Sequence, residues 1–213
     1  MKRVLLAALA ATALLSAAPA AASLPASNEL AVDIPFEGGA MLMFARDYRV
    51  ARYIRLGIIA GGGQINRRPL VKLPDGQEAD ARIQTTVFPF IGPRITFATP
   101  VVGLSLGFAV FHARADTDFD WPGQGRYSGT TTGWGTGFHA PFLELEFADS
   151  KRDLVYGFGL GGFFSASYPD LKASGSGGAV SLNSSPIDTL TGRVKVVWGF
   201  GRVRQPRDQD VDF

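Results

Sequence analysis

The chain has no cysteine and only two histidines and three methionines in 213 residues. The missing cysteine rules out a disulfide framework, a thiolate metal site and lipid attachment through a processed N-terminal cysteine. A net charge of one sign is missing too. Lys and Arg total 21 and Asp and Glu 19; setting aside Lys2 and Arg3, which lie in the leader described next, leaves 21 − 2 = 19 against 19. A mature chain of zero formal charge gives nucleic-acid binding no support. Beyond residue 22 there is no run of 18 apolar residues, so no transmembrane helix is expected. Helical periodicity is scarce as well. What the chain has instead is glycine (26), phenylalanine (16) and a two-residue rhythm, the composition of an all-β protein.

Met1-Lys2-Arg3 is a basic start, Val4 to Pro19 is an apolar run, and Ala20-Ala21-Ala22 fits a small-residue cleavage site. Residues 1–22 therefore read as a cleaved signal peptide, with Ser23 as the first mature residue. Residues 23–204 are expected to form one β-domain and residues 205–213 a tail.

The segment Pro141 to Tyr168 shows the rhythm most clearly. Leu143, Leu145 and Phe147 alternate with Glu144 and Glu146. After the polar turn 148–153, Leu154, Tyr156, Phe158, Leu160, Phe164 and Tyr168 share one face, and Gly157, Gly159, Gly161, Ser165 and Ser167 share the other. Bulk on one face and glycine or serine on the other suits a narrow membrane barrel, with lipid outside and little room inside. Tyr156 and Tyr168, twelve residues apart, are predicted at the two membrane interfaces, about 30 Å apart along a tilted strand.

Similar segments precede and follow. Asn28 to Phe36 and Ala40 to Tyr48 flank Glu37-Gly38-Gly39, which is either a hairpin turn or a bulge. Arg52 to Gly63 and Val101 to Arg114 repeat the pattern, and Leu190 to Arg202 closes the set, with Trp198 as a further interface aromatic. Ala81 to Ala98 is longer than one span, and Pro89 and Pro93 predict a bulge, or a turn near Gly92. The connections alternate in length. Asn66–Asp80, Ala115–Gly135 and Pro169–Asp188 read as long external loops, and Thr99-Pro100 and Ala148–Asp153 as short periplasmic turns.

These features predict an all-β, eight-stranded antiparallel up-and-down transmembrane β-barrel. The chain resembles the small outer-membrane barrels of the OmpA or OmpX type over about Asn28 to Arg204. The resemblance rests on the leader, the alternating segments and the loop asymmetry. It implies an outer-membrane location, contact with lipid and lipopolysaccharide, and recognition by the barrel-assembly machinery. Such barrels often end in an alternating apolar stretch with a terminal aromatic. Phe213 and Val211 fit this; Gln209 and Arg207 do not.

Glu144, Glu146, Arg193, Lys195, Arg55, Arg82, Gln84 and Arg94 are predicted to face the lumen, where charges must pair or stay hydrated. They form either a structural plug or a charged constriction for small solutes. His112 and His139 are expected near the external rim. With Ser128, Ser165, Ser167 or Asp116 they would be the only raw material for a lipid-modifying esterase, and no spacing specifies one. Asp116, Asp118 and Asp120 alternate, but Trp121 stands where a calcium loop needs glycine. Gly157-x-Gly159-x-Gly161 lies within a strand and opens no helix, so it is not a phosphate loop. The chain is expected to have no catalytic residue, no cofactor and no metal. The functional expectation is a structural or surface-interaction barrel, with a narrow pore or a lipid A-modifying enzyme as alternatives.

Overall fold

The computed structural model describes residues 26–98, 102–149 and 154–200. The predicted signal peptide, tail and terminal insertion signal lie outside these residues. All regular structure among the described residues is β. The strands are β1 (Ala26–Pro35), β2 (Gly39–Ala51), β3 (Ile54–Arg67), β4 (Leu70–Lys72), β5 (Glu78–Ala98) and β6 (Val102–Trp121). They continue with β7 (Gly125–His139), β8 (Leu143–Asp149), β9 (Leu154–Ser167), β10 (Leu171–Gly175), β11 (Gly178–Leu182) and β12 (Thr189–Phe200).

β7 and β8 are one strand broken at residues 140–142. Across the break, Ala140 N donates to Gly162 O at 3.0 Å and Phe142 N to Leu160 O at 3.1 Å, so pairing with β9 is not lost. Counted this way, the antiparallel ladders run β1–β2–β3–β5–β6–β7/β8–β9–β12 and return to β1. The result is a closed cycle of eight strands, the up-and-down barrel expected. The turn at Gly38 is real: Gly38 N donates to Pro35 O at 3.0 Å, and Gly38 has φ 118°, a conformation that favours glycine.

The exterior is apolar around the ring. Leu30, Phe44, Leu56, Phe97, Phe108, Leu145, Phe158 and Val194 are all exposed, an apolar surface far beyond what a soluble monomer tolerates. On β6 the outward face reads Val102, Leu104, Leu106, Phe108 and Val110, then His112 and Arg114. The ten residue steps from Val102 to His112, at ~3.3 Å each and ~40° tilt, cover about 25 Å, the height of a membrane barrel's apolar band.

β6 does not stop there. The segment 115–135, expected as a loop, is strand nearly throughout: β6 continues to Trp121, the chain reverses at 122–124, and β7 begins at Gly125. Outside the lipid the outward side chains become Asp116, Asp118, Asp120, Ser128 and Thr130, and this polarity made a strand resemble a loop. The inward positions Ala115, Phe119, Trp121 and Tyr127 stay buried. The segments 66–80 and 169–188 also carry strands. β4 pairs with the start of β5, and the β10–β11 hairpin docks on β7 through Ser174 and Ser128. Val71, Ile83, Phe119, Trp121, Tyr127, Leu171 and Leu182 form a second apolar cluster in this extension. The long-loop end is thus a packed lobe standing on the barrel.

Candidate functional site

β5 carries a bulge between Val87 and Phe90, where its register against β6 shifts; it does not turn at Gly92. A bulge moves later side chains to the opposite face. Before it, Ile83, Thr85 and Val87 point inward; after it, Phe90, Arg94 and Thr96 do. Arg82, expected in the lumen, is therefore exposed on the outer face of the lobe together with Gln84, whereas Arg94 is buried inside. A second bulge acts on Tyr168. Between Gly137 and Thr136 the β9 partners jump from Ser165 to Ser167. Tyr168 consequently turns inward and stacks on Phe111 at 5.9 Å, with its hydroxyl 2.9 Å from Ala113 O and 3.1 Å from Thr131 O. It is not an interface aromatic. Tyr156 is exposed on the outer face, and Trp198 lies beside Phe44 with ring centroids 6.4 Å apart.

The lumen's polar layer is built from rows of three. Glu144, Gly159 and Arg193 are successive cross-strand partners, as are Glu146, Gly157 and Lys195, and Asp47, Gly57 and Arg94. In each row a glycine on the middle strand leaves room for the outer two side chains to meet over it. Arg193 Nε donates to Glu144 Oε1 at 2.9 Å, Lys195 Nζ to Glu146 Oε1 at 2.7 Å, and Arg94 Nε to Asp47 Oδ1 at 3.0 Å. The glycines are needed for this. A Cβ on Gly157 would stand 2.6 Å from Lys195 Cε.

Cross-links join the rows. Arg94 Nη1 donates to Glu29 Oε1 at 2.7 Å, and Arg193 donates to Glu29 and, at 2.6 Å, to Asp33 Oδ2. Lys195 Nζ also donates to Glu144 Oε2 at 2.9 Å. His139 Nε2 lies 3.1 Å from Arg193 Nη1 and 3.3 Å from Asp33 Oδ2, and its ring stacks on Phe163 at 4.7 Å. His139 is fully buried in the lumen, not at the rim, because it continues the inward alternation of Gly133, Gly135 and Gly137. His112 faces outward, its ring 5.2 Å from that of Trp134. Arg55 lies half-buried at the lumen's short-turn mouth, outside the network.

The structure thus brings together Glu144, Glu146, Arg193, Lys195 and Arg94 and leaves out Arg55 and Arg82. Glu29, Asp33, Asp47 and His139 complete the set. A sequence signal existed for the first two: Glu29 and Asp33 alternate with Leu30, Val32 and Ile34, on the polar face of an otherwise apolar strand. In total, five carboxylates (Glu29, Asp33, Asp47, Glu144, Glu146) meet three basic side chains (Arg94, Arg193, Lys195).

An apolar layer also fills the lumen. Phe90 stands edge-on to Phe163 at 5.5 Å and stacks with Phe111 at 6.3 Å, among Met41, Met43, Ile59 and Ile187.

The esterase constellation does not assemble. Ser165 Oγ donates to Ser185 Oγ at 2.7 Å, and Ser185 Oγ to Asp188 Oδ1 at 2.5 Å, but His139 is held by Arg193 and Asp33 and His112 faces out. Ser128 lies exposed on the lobe, and the Ser167 hydroxyl meets that of Thr136 at 3.1 Å. The three alternating aspartates stay on the lobe's outer surface. Asp118 accepts from Arg126 at 2.7 and 2.6 Å, and Asp116 from Thr130 at 2.5 Å; Asp120 is exposed. The guanidinium of Arg126, hydrogen-bonded to Asp118, holds that carboxyl below the usual carboxylate range. Around these residues lies a shallow polar depression of about 430 Å³, lined by Arg82, Gln84, Asp116, Asp118, Arg126 and Thr130.

A closed eight-strand ladder with an apolar exterior and a filled interior defines the class: a small β-barrel of the membrane-spanning type. No protein-family model and no curated protein matches the chain. Among solved structures, a major outer membrane protein of Thermus thermophilus is similar at 14% identity and TM-score 0.45, over 84% of this chain and 100% of that one. CarO of Acinetobacter baumannii is similar at 13% identity and TM-score 0.43, over 82% and 96%. The N-terminal β-barrel domain of Pseudomonas aeruginosa OprF is similar at 11% identity and TM-score 0.37, over 83% and 97%. Likenesses this distant are of fold alone and carry no argument about activity.

Proposed function

We propose that the chain is an integral outer-membrane protein of structural and surface-interaction type, with a closed lumen and no turnover chemistry. The carrying observation is the filled interior: a buried ion network and a packed aromatic layer occupy the lumen. Eight strands enclose little more than their own side chains, so such a filling leaves no water path. The lobe supports the interaction half of the reading. It is rigidly packed, polar outside, and stands beyond the apolar band where a partner can reach it. By the rule that outer-membrane barrels have short periplasmic turns, the barrel end that carries the turn 52–53 faces the periplasm, and the lobe faces outward.

Reconstitution into planar bilayers tests this. The protein is expected to insert without conductance steps. Steps that carry cations, and lose that preference in Glu144→Gln/Glu146→Gln, would favour the second reading, a narrow cation pore. The excess of five carboxylates over three cations in the lumen speaks for that alternative.

A further inference from the structure

Among the described residues, the short-turn end carries a basic rim with no carboxylate partner. Arg46, Arg49, Arg52 and Arg55 fall within ten residues around the β2–β3 turn. The one acid in that stretch, Asp47, is buried and bound to Arg94 at 2.5 Å. Strands on either side bring no replacement: Tyr48 lies opposite Ala26, Ile54 opposite Phe97, and Arg55 opposite Thr96. Arg49 and Arg55 are direct cross-strand partners, an arrangement of like charges that costs stability unless an anion sits between or beside them. Among the described residues none of the four has a carboxylate within 4 Å, whereas at the lobe end Arg114 and Arg126 pair with Asp116 and Asp118.

The rim also adjoins the apolar band. The outward face of β2 reads Leu42 and Phe44, then Arg46, Tyr48 and Val50. Arg46 lies 5.6 Å from the Tyr48 ring, and Arg52 lies 5.0 Å from the ring of exposed Tyr53. An aromatic ring at the interface with a guanidinium over it suits the level of lipid headgroups, where the ring stays half in hydrocarbon and the charge faces phosphate.

We propose that this rim binds the phosphate of anionic phospholipid headgroups in the leaflet at the short-turn end. Arg46 and Arg52 meet the headgroups from the outer surface. Arg55 adds charge at the mouth. Arg49, whose guanidinium also donates to the carbonyls of Ala51 and Arg52 at 3.4 and 3.1 Å, holds the turn in shape. The inference rests on the membrane-spanning reading above.

The test is spin-label resonance on the full chain in phosphatidylcholine vesicles, doped with spin-labelled phosphatidylglycerol or phosphatidylcholine. Insertion is checked first by heat-modifiable gel mobility. We expect about five-fold preferential association of phosphatidylglycerol, fading with salt. Arg46→Gln/Arg52→Gln/Arg55→Gln should abolish the preference, the three corresponding lysine substitutions should retain it, and Arg114→Gln/Arg126→Gln should leave it unchanged. Should the triple glutamine variant not insert, Arg46→Gln/Arg52→Gln, whose side chains are exposed, gives the same readout with a smaller loss. Equal association of the two lipids with the inserted wild-type chain overturns the inference. A preference that survives the glutamine variants overturns it too. A chain that never inserts overturns the membrane-spanning reading and this inference with it.

Discussion

Glu144 and Arg193 sit on strands that do not pair with each other, yet Arg193 Nε donates to Glu144 Oε1 at 2.9 Å across Gly159 of the strand between them. The lumen repeats this construction in two further rows. A narrow barrel can hold long charged side chains only where an intervening position lacks one. The network makes the interior specific, because each charge reaches its partners in one register only. A buried ion network is weak grounds for extra stability, since desolvation offsets much of the attraction. Breaking it from one side is a different matter.

Arg193→Met removes a guanidinium that contacts Glu29, Asp33 and Glu144. It leaves Asp33 facing only His139 and takes one of the cationic partners from Glu29 and Glu144, and should destabilise the barrel by about 3–5 kcal/mol. Urea unfolding followed by heat-modifiable gel mobility measures the loss. A second substitution, Glu144→Gln, should recover part of it. A change no larger than that of the exposed Arg46→Gln would show the network to be hydrated rather than buried.

Gly157→Val is expected to disrupt Lys195 in particular. The new Cβ would meet Lys195 Cε at 2.6 Å and Cγ at 2.9 Å, and displacing that stem pulls Nζ from Glu144 and Glu146. The variant should lose about 1–3 kcal/mol in the same assay, as overpacking does. The loss should shrink when Lys195 is also replaced by alanine, because the clash and the pairing are then both gone.

The lobe should open independently of the barrel. Leu171 is fully buried in the lobe's apolar cluster, so Leu171→Ala removes about 2–5 kcal/mol from that cluster. Hydrogen exchange should accelerate in β10 and β11, and trypsin should cut after Lys172, while exchange in β1 and β12 stays unchanged. Uniform acceleration would mean that lobe and barrel unfold as one unit.

Asp118 offers a pH readout outside the membrane. Its hydrogen bond from Arg126 lowers its carboxyl pKa in the folded state. Stability contributed by a depressed carboxylate is present above the unfolded value and lost as pH falls through the folded one. A carbon-13 titration of Asp118 should therefore show a midpoint below the ordinary carboxylate range. In Arg126→Gln the midpoint should return upward. Arg126 is exposed and Asp118 partly so, and the pair should therefore be sensitive to salt.

The period-two alternation carried most of the barrel. Large side chains on one face and small ones on the other appear directly in β6 and β9, large ones opposite threonine, arginine and lysine in β12, and the turn at Gly38 completes the count of eight strands. Strands beyond the lipid were not legible. There the outward residues turn polar, and Asp116, Asp118 and Thr130 in β6 and β7 read like a loop although the inward residues still alternate.

By itself the sequence determined the fold class, the faces of the regular strands and the charged character of the lumen, because strand geometry fixes which side chains share a face. The tertiary structure decided what depends on register. Bulges at Val87/Phe90 and Ser165/Ser167 put Arg82 outward while Arg94 turns inward, and turned Tyr168 inward, since one extra residue sets the two sides of a bulge in opposite phase. Closure of the ladder placed Gly157 and Gly159 between acid and base, so the inward glutamates Glu144 and Glu146 became parts of ion pairs spanning three strands.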